Sequence, residues 1–306
     1  MSEKLNLNQL SKILAVTCLA PSMSIAQDGW QLNSSVTAIT GRYADSMILN
    51  HQQGLGIRLS GENEKKWGVA AGVLSTRIDM APITQVSSQN QDSWLLSGHA
   101  YKHSIMLPGR WTFQLDVHQV HNDAQKENNS YVRAIAPQVT WLSYTQPLKV
   151  DFSYATSNYK NTPSSIHQLS SAIAYGFNGA TDWLQVRSYA INNLATSEAL
   201  GHSSTRATDI KVTHFLKTQT KWEPTTITVG LERGKRIYAV DMVTQTVYNL
   251  PMLNEGGENI AGNWKLSSKT DLSLQFSKTR YYAEPTYLPA HRFTLSTLSA
   301  QLSTSW

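Results

Sequence analysis

The last stretch of the chain, Phe293 to Trp306, reads FTLSTLSAQLSTSW. From Leu298 onward it alternates: Leu298, Ala300, Leu302, Thr304 and Trp306 fall on one side of an extended strand, and Ser299, Gln301, Ser303 and Ser305 on the other. Such a strand has one face for an apolar medium and one for a polar medium. Its length of about nine residues is what a tilted strand needs to cross a bilayer.

Upstream, the same alternation recurs without a helical stretch between segments. The apolar phases are Leu32/Val36/Ala38, Leu55/Ile57/Leu59, Val69/Ala71/Val73, a segment between Trp94 and Leu107, Phe113/Leu115/Val117, Ile135/Val139/Trp141 and Leu148/Val150/Phe152. They continue with Ile173/Tyr175/Phe177, Leu184/Val186/Ala190, Ile210/Val212/Leu216, Ile227/Val229/Leu231, Ile260/Trp264/Leu266, Leu272/Leu274/Phe276 and the terminal segment. That makes about fourteen strands, with twelve to sixteen compatible with the segment between Trp94 and Leu107, whose two phases are equally apolar. Pro137 removes a ladder hydrogen bond from the sixth strand, so a bulge or local fraying is expected there. Short connections (61–66, 108–110, 145–147, 178–181, 217–224 and 267–271) alternate with longer polar ones (41–52, 79–91, 121–129, 157–165, 192–204, 234–253 and 281–291).

The tryptophans follow the same layout. Trp30, Trp67, Trp111, Trp141, Trp264 and Trp306 fall at strand ends next to a short turn or a chain end, in the apolar phase, as an interfacial belt requires. Trp183 and Trp222 fall at the same level out of phase, which calls for a local bulge, and Trp94 lies at the opposite end.

These features together resemble a Gram-negative outer-membrane β-barrel of porin-like class: apolar alternation over the whole chain, an aromatic last residue, and loops of alternating length. Thr304 departs from the pattern by standing where a second aromatic is usual, and the terminal segment carries no glycine. The resemblance implies an all-β, up-and-down antiparallel transmembrane barrel in the outer membrane, surrounded by lipid and lipopolysaccharide. It also implies a terminal strand recognised by the barrel-assembly machinery.

Composition is consistent with that reading. Of 306 residues, 41% are hydrophobic, but they are dispersed, so the chain could cross a membrane only as strands. The formal net charge of +5 is scattered, with no basic cluster interleaved with aromatics, which argues against nucleic acid. Lys4 and Lys12, the apolar run from Ile13 to Ala20 and the small-x-small Ser24-Ile25-Ala26 read as a secretory signal over 1–26, leaving 27–306 as the barrel. The single cysteine, Cys18, lies inside that signal, so no disulfide is expected, and the few residues ahead of the first strand leave no room for an N-terminal plug.

If the apolar phase faces lipid, the opposite phase lines the lumen. Its ionised members are Arg58, Asp116, Lys149, Asp151, Arg187, Asp209, Lys211 and Glu232, roughly balanced in sign. Either they line a wettable pore for small polar solutes, or pairs such as Lys149 with Asp151 and Asp209 with Lys211 neutralise one another in a packed barrel. The longest loop, Gly234 to Leu253, either continues as a β-ribbon above the membrane or folds over the mouth.

Two other functions fit the class. The barrel could anchor or sheathe a surface or periplasmic partner. Alternatively, His202 and Ser204 could form a His-x-Ser pair for lipid hydrolysis, although no orienting carboxylate or amide follows. His99/His103 and His118/His121 lack a third ligand, so neither a metal nor any other cofactor is expected.

Overall fold

The computed structural model describes residues 29–63, 66–81, 88–123, 130–160, 165–194, 199–217, 220, 222–248, 250–284 and 289–306; the expected signal at 1–26 lies outside them. The strands are β1 (Trp30–Ala44), β2 (Leu49–Asn63), β3 (Trp67–Met80), β4 (Ser88–Ser104), β5 (Gly109–Asn122), β6 (Tyr131–Ser143), β7 (Leu148–Tyr159) and β8 (Ile166–Phe177). They continue with β9 (Asp182–Asn192), β10 (Ser204–Phe215), β11 (Thr226–Arg236), β12 (Val240–Asp241), β13 (Thr246–Val247), β14 (Leu253–Lys265), β15 (Thr270–Ala283) and β16 (His291–Ser305). All but β12 and β13 form one closed antiparallel barrel of fourteen strands, each beside its sequence neighbour, with β16 returning to β1 so that Val36 faces Leu302. Closure leaves no strand edge with unpaired backbone groups, which is what a hydrocarbon solvent demands.

The exterior is apolar where the alternation placed it. Phe113, Leu115 and Val117 on β5, Ile227, Val229 and Leu231 on β11, and Leu298 and Leu302 on β16 are all exposed. Water would make this belt costly, whereas lipid is its natural solvent.

Barrel strands run from 11 residues in β9 to 17 in β4, longer than the ~9–11 that span hydrocarbon. Several connections are correspondingly shorter than the sequence suggested. The first occupies only 45–48, because Arg42 and His51 are already paired.

Four local expectations needed correction or were left undecided. On β4, Trp94 and Leu96 face outward; Ile105 and Leu107, which gave the competing phase, lie beyond the strand in the turn. At Pro137 the expected local loss of pairing is present and the bulge is not: Leu115 stays opposite it on β5, and the β7 register is the same on both sides of the bridges skipped at Ala136 and Pro137. Trp183 needs no bulge either, since β9 keeps regular register with both neighbours; its ring turns inward and its indole N–H donates to the Ala180 carbonyl at 3.1 Å. Trp222 lies outside any strand and accepts, through its carbonyl, the indole N–H of Trp264 at 3.1 Å.

The six in-phase tryptophans stand at the strand ends joined by short turns or at the chain ends. Trp30 and Trp67 meet edge to face at 4.6 Å, Trp111 and Trp141 are cross-strand neighbours, and the Trp306 indole donates to Ser34 Oγ at 3.2 Å.

Candidate functional site

The loop between β11 and β14 neither rises above the membrane nor merely caps the mouth; it enters the barrel. Two bulges turn it inward, one on β11 between Arg233 and Arg236 and one on β14 between Asn254 and Gly257. Glycines occupy both corners: Gly234 has φ +107° and Gly256 φ +100°, and a Cβ on either would lie 2.4 Å from a backbone carbonyl oxygen, of Arg206 and Glu232 respectively.

From there Ile237, Tyr238, Ala239, Val240 and Met242 are buried against Val120, Val132, Ala134, Ala136, Ala155 and Ile191, the inner surface of β5, β6, β7 and β9. The inward residues of this wall are apolar and largely small, so a layer of backbone fits where a larger side chain would exclude it.

Polar contacts fix the register of the docked loop. The Gln168 side chain on β8 binds the backbone of Val240 both ways, donating to its carbonyl at 2.6 Å and accepting its N–H at 3.0 Å. Asp241 Oδ1 accepts the N–H groups of Val243 at 2.9 Å and Thr244 at 3.0 Å, closing the ribbon of β12 and β13. At the tip, Gln245 donates to Asp116 on β5 at 3.1 Å and accepts from Arg58 on β2. The loop thus reaches from β11 across to β2.

Arg236 anchors its base. The guanidinium makes two hydrogen bonds to Glu232, lies 3.7 Å from Asp241 and sits 4.6 Å from the centre of the Tyr189 ring. Burial alone would raise the Asp241 carboxyl, but Arg236 together with the N–H groups of Thr244 and Val243 holds it below the ordinary aspartate range.

The eight ionised residues singled out in the sequence all take the inward phase, and most engage protein groups. Asp151 pairs with Arg187 at 2.8 Å rather than with its strand neighbour Lys149, and both members of that pair are 2% exposed. Lys211 pairs with Asp209 at 2.9 Å. Cross-strand register explains the first pairing: Asp151, Ala172 and Arg187 stand side by side on β7, β8 and β9, so the small alanine between lets the long arginine reach over. Lys149 lies one inward step lower, level with Leu142 and Arg110. Among the described residues neither Lys149 nor Arg110 has a carboxylate partner within salt-bridge distance.

Beneath the loop tip these residues enclose a cavity of about 430 Å³. Arg110, Lys149 and Arg187 line it together with glutamine and threonine side chains, and Leu142, Met242 and Val243 supply apolar patches.

Across the barrel the inner wall differs. The inward side chains Thr37, Arg58, Ser60 and Thr76 of β1–β3, Asn259 and Asn263 of β14, Ser273 and Ser277 of β15, and Ser299, Gln301 and Ser303 of β16 all keep part of their surface accessible. Loop residues 237–248 pack chiefly on the β5–β9 wall and, among the described residues, touch this side only through the Gln245 bond to Arg58 and, at the base, near Tyr281. Toward the loop-bearing end, Tyr43, Ile78, Tyr281, Phe293 and Leu295 close ranks as a second apolar cluster.

Gln168, Arg236, Asp241 and Gln245 were not singled out in the sequence, although they hold the loop. Ser204 opens β10 and is exposed beside His202, and among the described residues neither side chain hydrogen-bonds the other or a carboxylate. Among the described residues no group of three or more His, Cys, Asp or Glu is placed to hold a metal ion.

No family model and no curated protein sequence matches the chain. Solved structures do. A deltaS2S3 mutant of the monoaromatic hydrocarbon channel TodX superposes with a TM-score of 0.56 at 10% identity, over 93% of this chain and 92% of that one. The Pseudomonas putida toluene transporter TodX gives 0.52 at 10% identity, over 93% and 91%. At that identity the likeness is one of fold: the chain is a fourteen-stranded barrel of the outer-membrane type.

Proposed function

We propose that the chain is an outer-membrane pore for passive passage of small polar solutes, with the inward loop as its constriction and the β14–β16 and β1–β3 wall as its path. The observation that carries this is the asymmetry of the lining. At the level of the loop the inward side chains of β5–β9, from Asp116 and His118 to Ala136, Ala155 and Ile191, are buried, whereas the serines, threonines, asparagines and Gln301 opposite remain wettable. A barrel of fourteen strands encloses more space than its own side chains fill, and the loop packs mainly against the β5–β9 side of it, crossing to β2 at Gln245. Arg58, Asp116, Lys149, Asp151, Arg187, Asp209, Lys211 and Glu232 then tune the lumen. Their near-balance of sign predicts little net charge preference in bulk conduction. The six tryptophans are read as an interfacial belt on the short-turn side, which the class resemblance makes periplasmic.

Single-channel recording of the refolded protein in planar bilayers tests the reading. Discrete conductance steps are expected, with a reversal potential in a salt gradient that moves toward cations when Arg58, a cation of the β1–β3 wall, is replaced by glutamate. A folded, inserted barrel without conductance would instead favour an anchor or sheath for a partner.

A further inference from the structure

The cavity below the loop tip has a chemistry of its own. Inward residues on adjoining strands form rows. Arg110, Leu142 and Lys149 share one row on β5, β6 and β7, and Arg187 stands one step higher on β9. All three cations line the cavity and no acidic side chain does.

Asp151 sits behind Arg187, occupying one guanidinium nitrogen and fixing its orientation. The Nε and Nη1 groups of Arg187 are buried without an acceptor among the described residues, in a side chain only 2% exposed, and Arg110 Nε is likewise unpaired. Buried donors of this kind are normally satisfied, and both side chains border the cavity, which marks its wall as short of acceptors. Arginine with lysine selects anionic oxygen. The apolar side chains of Leu142, Met242 and Val243 offer a contact for a carbon skeleton but cannot serve a bare inorganic ion. A volume of about 430 Å³ falls in the range of small-molecule sites.

We propose that this cavity is a binding station for a small organic anion, a carboxylate carrying a short apolar body, on the short-turn side of the constriction. The assignment deepens the pore reading and rests on it for its role in transport, but not for the binding itself. The carboxylate meets Arg110 and Lys149, with the Arg187 guanidinium adding positive charge from the wall behind, and the apolar end lies against the loop tip. Occupancy would place an anion under the constriction without altering the path along the opposite wall.

The test separates binding from conduction. Butyrate, butyramide and butylamine are titrated against the folded protein in detergent micelles, with saturation-transfer NMR as the readout, and the same preparation is recorded in bilayers. Butyrate is expected to bind at least tenfold more tightly than either analogue. Arg110→Gln with Lys149→Gln should remove most of that preference, while the heat-modifiable folded form persists; among the described residues neither side chain has an ion-pair partner to lose. Binding of butyrate no stronger than butyramide, or unchanged in the double variant, overturns the site and leaves the pore reading to its conductance. Selective binding by a barrel that passes no current would uphold the site and defeat the pore.

Discussion

The two sides of this barrel are built from the same strand geometry and do opposite things. On β5–β9 the inward phase carries a patch of alanine, valine and isoleucine, Val120, Val132, Ala134, Ala136, Ala155 and Ile191, among polar and charged residues, and a loop lies against that patch. On β14–β16 and β1–β3 it is chiefly serine, threonine, asparagine and glycine, and no described segment covers its midsection. Closure of the barrel is indifferent to this difference, since it is made by backbone pairing and not by the inward side chains. What the inward residues decide is whether their side of the lumen is filled by protein or by water.

The contrast is broken most directly by removing its cause. Replacing residues 239–247 with a short Gly-Ser linker should raise single-channel conductance several-fold, because the narrowing goes while the fourteen-strand ladder stays. Conductance unchanged by the deletion would place the narrow point elsewhere, at the Tyr43, Tyr281 and Phe293 cluster.

Next in size is Gly256→Val. The branched side chain meets the Glu232 carbonyl and opposes the positive φ, so a loss of about 2–4 kcal/mol is expected, read as a lower denaturant midpoint in micelles. Conductance of the surviving barrels should rise, since the loop can no longer make its inward turn.

Acid should loosen the same loop to a smaller extent. The folded Asp241 carboxyl lies below its unfolded range, so its contribution is complete above that range and is lost as pH falls through the lower folded value. Arg236, Glu232 and Lys211 are the charged groups around it. Conductance should therefore climb only in acid below the ordinary aspartate range and not near neutrality, and Asp241→Asn should show the raised level at all pH values.

The finest comparison pairs one substitution from each side. Ala136→Leu adds bulk where the exposure is 0% and should cost about 1–3 kcal/mol. Gln301→Leu faces the free side; it should change stability by less than about 1 kcal/mol and conductance by tens of per cent at most. Equal costs at the two positions would erase the distinction between the walls.

Strand number, neighbour order and outward phase were legible because lipid imposes a period of two on nearly every strand, from Phe113/Leu115/Val117 to Leu298/Leu302. β4 was not, because Ile105 and Leu107 look like strand residues but sit in a turn where no alternation applies. The inward loop was half legible. Gly234 and the Gly256-Gly257 pair frame it, and Ala134, Ala136, Ala155, Ala172 and Ala174 stand in the polar phase, a surface made to be packed against. Which wall those alanines would receive could not be read, because the decisive bonds, from Gln168 and Gln245, join segments far apart in sequence. The Asp151 to Arg187 pair escaped for the same reason: adjacency along one strand suggested Lys149, while closure of the sheet supplied a neighbour from β9.

The seat of the loop also sets an order of events in biogenesis. Gln245 finds its partners 187 and 129 positions earlier in the chain, and Gln168 holds Val240 across 72. The loop is made before β14, β15 and β16, yet the chamber that receives it exists only once β16 has met β1. Contacts of such separation form late, after the entropy of closing the intervening chain has been met. Insertion would thus have a wide, unplugged intermediate, and constriction would be its last step: a leaky ring first, then a narrowed aperture.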